Sequence, residues 1–216
     1  MMSFELKEIY PCIYLATFDT LYDMGMTMVR VQEYYESPYF RGRYFALETY
    51  MDWWAETEGK DCFDYPAVWG GFNVPGYVIY EWHKQFHHEG IRDRERLLLD
   101  ALLEARGNLE NIKKTYLIAA CSKSDEYETT VRHETAHAFY ALHPKYKKSC
   151  KKLLAQMSPK VYAKAEKILL GGGYDKSVVA DEIQAYSSSP HDSKRISVKP
   201  RKRFIANFDK FKNSIS

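Results

Sequence analysis

Cysteine is scarce in this chain and nowhere closely spaced. Cys12, Cys62, Cys121 and Cys150 lie far apart and form no CxxC. This excludes a cysteine-rich disulfide framework and a zinc site built on cysteine pairs, and it suits thiols kept reduced. An isolated bridge such as Cys12 to Cys121 stays open. Long apolar runs are missing as well. No stretch approaches the roughly 18 apolar residues of a membrane span, and the opening MMSFELKEIY sets Glu5, Lys7 and Glu8 where a secretory signal needs its apolar run. A soluble, cytoplasmic protein with no membrane partner is expected. Nor is there an excess of one charge: 31 Lys and Arg against 29 Asp and Glu leave a formal charge of +2. The overall balance therefore argues for neither nucleic acid nor an acidic substrate. Phosphate loops and serine elbows are absent too. Neither WGGFNVPG nor LLGGGYD has the GxxxxGK[ST] pattern, and no GxSxG occurs. No repeat or low-complexity segment is visible.

What is present is enough chain for a core. The 216 residues, 45% of them hydrophobic, suffice for one domain or one domain with two lobes. Of 33 aromatic residues, 22 precede residue 90, in runs such as EYYESPYF and RYFALETYMDWW, so the first part has an aromatic core of its own. The chain reads as an aromatic-rich lobe over 1–106, a second lobe over 107–190 and a basic tail over 191–216. Periodicity and stop signals give a strand over 9–17 and helices over 20–36 and 46–58. WGGFNVPG reads as loop, and 77–106 as helical with a break at Gly90. KTYLIAACS, 114–122, reads as a buried or edge strand. Helices follow over 124–142, 145–157, 158–170 and 176–187, and the polar, basic remainder reads as loosely held. The expected fold class is α+β and mostly helical. A small sheet supplies an edge strand before a histidine-bearing helix, and a C-terminal helical lobe follows.

The helix over 124–142 contains VRHETAHAFY. On an α-helix, residues i and i+4 share one face a turn apart, so His133 and His137 can offer imidazole nitrogens to a single ion. Zinc accepts such a pair, and Glu134 beside it is placed to take a proton from a zinc-bound water. With the chain's own 7 His and 17 Glu, an accidental HExxH arises in roughly 2% of such sequences. The alternative is an exposed amphipathic helix with two aligned histidines. Against it, Val131, Ala136, Phe139, Tyr140 and Leu142 make this helix largely apolar, and histidines are costly to bury there without a partner. A catalytic zinc takes three protein ligands and keeps one position open. Glu182, in VVADEIQAYSS on a later helix, is the best candidate for the third; otherwise it is a solvated helix charge.

With these three parts in order, the sequence resembles the gluzincin group of zinc metallopeptidases. YLIAACS, HETAH and DEIQAY match the strand, the HExxH helix and the later glutamate helix of that group. The resemblance covers about residues 114–188. It implies metal ligands at His133, His137 and Glu182, with Glu134 as general base, and hence zinc-dependent hydrolysis of peptide bonds in an intracellular protein or peptide. The chain departs from the pattern one turn after Glu182, where several gluzincins place an aspartate and this chain has Tyr186. Asp181 could hold a histidine instead. Tyr186, on the face of Glu182, could donate its phenol to an oxyanion or simply pack between helices. The first half matches no peptidase pattern.

Other constellations carry less. EWHKQFHHEG sets His83 and His87 at i and i+4 with His88 beside them, but no glutamate follows the first histidine, and a polar helix face is the plainer reading. His143, before Pro144, suits a helix C-terminus as a cap, and His191 is a reserve third ligand. The lysines of KYKKSCKK, 145–152, read as a solvated face. Six Lys and Arg in KRISVKPRKR, 194–203, form an accessory hook for nucleic acid or an acidic partner. The rival to an enzyme is a non-catalytic binding or regulatory protein with a structural or vestigial zinc. Such a protein would touch nucleic acid through that tail. Substrate, cleavage preference and oligomeric state are not legible.

Overall fold

A hairpin opens the chain in the computed structural model, which describes residues 3–58, 61–88, 90–172, 174–189 and 201–215. β1 (Phe4–Tyr10) pairs antiparallel with β2 (Ile13–Phe18), with Phe4 opposite Phe18 and Tyr10 opposite Ile13. The sequence reading merges the two into one strand over 9–17. β1 eludes it because an edge strand with a solvated face carries Glu5, Lys7 and Glu8 in place of an apolar run. α1 (Leu21–Glu36) starts where the Thr20 hydroxyl accepts from the Asp23 N–H at 3.0 Å, and it stops at Ser37, ahead of Pro38. α2 (Leu47–Thr57) and the short α3 (Tyr65–Val68) follow.

The stretch read as loop contains β3 (Gly71–Pro75), which runs directly into α4 (Gly76–Phe86). Gly76 is required at that junction, since a Cβ there would meet the Ile112 carbonyl oxygen at 1.9 Å. α5 (Asp93–Arg106), closed by Gly107 with φ of 80°, and α6 (Leu109–Ile112) lead to β4 (Tyr116–Cys121). The sheet order is β1-β2-β4-β3, with β2 and β4 parallel and β3 antiparallel to β4. β4 is thus an interior strand, not the edge strand expected before the histidine helix. All six of its residues are buried, as a strand covered on both faces requires. The fold is α+β with helices predominant.

The chain divides into two compact units, Met1–Tyr127 and Glu128–Ser216. The first has an aromatic core in which the Tyr65 ring meets Tyr50 and Trp54 edge-on, at 5.6 and 5.0 Å between centroids. A buried ion pair crosses this unit: Arg30 donates Nε to Glu95 Oε1 at 2.7 Å and Nη2 to Oε2 at 2.5 Å. Its remaining donors reach the carbonyls of Phe45 and Gly90, so the buried guanidinium is satisfied. Cys12, Cys62, Cys121 and Cys150 are thiols, not disulfides.

The second unit is helical: α7 (Tyr127–Leu142, all but its first residue), α8 (Pro144–Ala155), α9 (Pro159–Gly171), α10 (Val179–Ser188) and α11 (Arg201–Ile215). α11 corrects the expectation of a loosely held tail over 201–215, because it buries Phe204 and Phe208. His191 and most of the basic KRISVKPRKR run lie outside the described residues. Among the described residues, no helix is long and apolar enough to cross a membrane.

Candidate metal centre

α7 is buried on every side from Glu134 to Tyr140. His137 is therefore buried and His133 half-buried, so the histidine pair is not an exposed stripe. His133 and His137 bring their Nε2 atoms to 3.1 Å of each other. Glu182, in the first turn of α10, approaches both. Its Oε1 lies 3.6 Å from His137 Nε2 and its Oε2 lies 3.8 Å from His133 Nε2. Donor atoms about 2.0 to 2.1 Å from a tetrahedral zinc stand about 3.3 Å from one another. The three edges of 3.1, 3.6 and 3.8 Å fit that triangle with small adjustments. The buried Glu182 Oε2 has no hydrogen-bond partner among the described residues, as an acceptor reserved for a cation would. Of the described residues, these three form the one group of His, Cys, Asp or Glu within metal-binding distance.

The electrostatics agree with the geometry. Burial pulls the His137 pKa down, but Asp181, Glu182 and Glu134 around it prevail and hold it up at about 10. Burial pushes Glu182 up, against the pull of His137 and His133 and with the repulsion of Asp181 and Glu134. Three carboxylates gathered on two imidazoles make a pocket that draws a cation or a proton. Asp181 lies 3.1 Å from His137 Nδ1, on the side of the ring away from His133 and Glu182. A carboxylate there selects the tautomer with the proton on Nδ1 and leaves the Nε2 lone pair for a metal.

Tyr186 is buried, with its ring 4.4 Å from that of His133 and its hydroxyl 3.0 Å from the Tyr174 hydroxyl. The ring thus packs beside His133, and the hydroxyl shares a hydrogen bond with Tyr174. Tyr174, just past the glycine run, carries no sequence signal. Neither do Arg132 and Gln184. Arg132, next to His133, donates Nε to the Ser188 carbonyl at 2.6 Å and pairs with Asp209 at 2.8 Å, and its guanidinium lies 4.2 Å over the Phe208 ring. It ties α7 to the end of α10 and to α11.

The other histidines go elsewhere. His83 and His87 stack at 5.2 Å, and His87 Nδ1 faces the carbonyls of His83 and Lys84 at the end of α4. His143 follows the last turn of α7. Its backbone N–H closes the last turn on Phe139, its ring lies against Phe139 and Phe211, and burial lowers its pKa. No family model, curated protein or solved structure matches the chain, and its function is accordingly read from this geometry.

Proposed function

We propose that the protein is a zinc-dependent metallopeptidase of gluzincin type, with His133, His137 and Glu182 as metal ligands. The carrying observation is the convergence of two imidazole nitrogens and one carboxylate at near-tetrahedral spacing, with Glu134 between the histidines on the same helix. Two nitrogens and one carboxylate oxygen are a donor set that suits zinc and leaves room for a fourth ligand. When bound, zinc supplies Lewis acidity, polarising a scissile carbonyl and easing the loss of a proton from water. Glu134 takes that proton and returns it to the leaving amine. Its charge already acts on both His137 and Glu182, which supports a position beside the reacting centre. Asp181 keeps the His137 ring in the ligating tautomer. Tyr186 steadies the His133 ring, and its phenol can serve an oxyanion while its oxygen accepts from the Tyr174 hydroxyl.

Glu134→Gln tests this reading. The variant is expected to keep its zinc while hydrolysis of a fluorogenic peptide mixture falls by at least about 100-fold, the usual scale for losing a positioned acid–base group. Hydrolysis undiminished in the variant would contradict the role of Glu134. A zinc-loaded wild type that cleaves nothing would favour the rival, a binding protein with a structural metal.

A further inference from the structure

Gln184 is wholly buried, two residues after Glu182, and all of its hydrogen-bonding atoms are engaged. Its Nε2 donates to Asp181 Oδ1 at 2.9 Å and to the Ala136 carbonyl at 3.1 Å. Its Oε1 accepts from the Tyr146 hydroxyl at 3.0 Å, with Cys150 Sγ at 3.7 Å. One amide thereby joins α7, α8 and α10 at the residue before His137. Buried amides with every partner satisfied fix a single arrangement of the elements they join.

Asp181 Oδ1, the oxygen that faces His137 Nδ1, is the same atom that accepts from Gln184. Asp181 itself is only partly buried, so its side chain has solvent as an alternative. Gln184 removes that freedom. On the metal reading above, we infer that Gln184 is a positioning residue for the metal centre: it holds Asp181 on His137 Nδ1 and so fixes the tautomer and direction of His137 Nε2. Its second donation, to the Ala136 carbonyl, holds the amide itself in place for that contact.

Zinc affinity by competition with a chromophoric chelator, read on the full-length chain, tests the inference. Gln184→Met keeps volume and removes both donations, while Tyr146 retains Ser188 Oγ at 3.4 Å. The expected loss is about 10- to 100-fold, the range for outer partners of metal ligands. Asp181→Ala should lose a comparable factor, and the double variant should be no weaker than Asp181→Ala alone. The cobalt-substituted Gln184→Met protein should also show a shifted visible spectrum, a readout that a purely structural role would leave in place. Unchanged affinity and spectrum in Gln184→Met, or a full extra loss on the Asp181→Ala background, overturns the inference. If Gln184→Met does not fold, Tyr146→Phe reads the same coupling. A loss of a few-fold that vanishes on the Asp181→Ala background supports the role, and one that persists there overturns it. A wild type that binds no zinc overturns the metal reading itself, and the role of Gln184 falls with it.

Discussion

Glu33 and Glu182 are both carboxylates pushed up by burial, yet only Glu182 faces a pair of imidazoles. Glu33 sits in the first unit and accepts from the Tyr65 hydroxyl at 2.9 Å; burial holds its pKa at about 7. An acid with a folded pKa above its unfolded value binds more protons when folded. Its contribution to stability is present below about pH 4.5 and is lost as the pH rises through about 7. Glu33→Gln should therefore flatten the fall of the unfolding free energy across that window, by at most on the order of 3 kcal/mol, read by urea unfolding at several pH values. A variant with the wild-type slope would show that another group governs it. At this scale the sequence is informative where chemistry follows from local spacing. His133, Glu134 and His137 are legible because a helix brings i and i+4 together, and Glu182 because a third ligand is needed. Gln184, Arg132 and Tyr174 are not legible, because their partners are up to 77 residues away in the chain, as for Arg132 and Asp209.

Among the elements, helices with clear ends are legible in the sequence. Thr20 and Ser37-Pro38 bound α1, and Gly107 closes α5. The edge strands are not legible, for a physical reason. β1 alternates with charge, and β3 is five residues bounded by Gly71 and Pro75, which read as turn signals. Proline is tolerated there because β3 lies at the sheet's edge. α11 was hidden by its lysines and arginines, although Phe204, Phe208 and Phe211 recur at helical spacing. Phe208 is 2% exposed, 5.3 Å from the Phe139 ring and under the Arg132 guanidinium. Phe208→Ala should destabilise the second unit by about 3 to 5 kcal/mol, measured by urea unfolding. A change within about 0.5 kcal/mol, the range of ordinary surface substitutions, would mean that α11 is dispensable.

At the scale of the whole molecule, the balanced charge conceals a division. Residues 1–127 carry 13 Lys and Arg against 21 Asp and Glu, and residues 128–216 carry 18 against 8. Three of those eight acids, Glu134, Asp181 and Glu182, belong to the candidate centre. Long-range attraction is therefore a property of each unit and not of the chain's sum, a division invisible until the units are known. The most direct test of the central claim is elemental analysis of the full-length protein purified without added metal, for the wild type, His137→Ala and Glu182→Ala. About one zinc per wild-type chain is expected, as a single three-ligand site requires, with marked loss from both variants. A wild type that holds no zinc even after reconstitution, or variants that keep it in full, would contradict the metal centre described here.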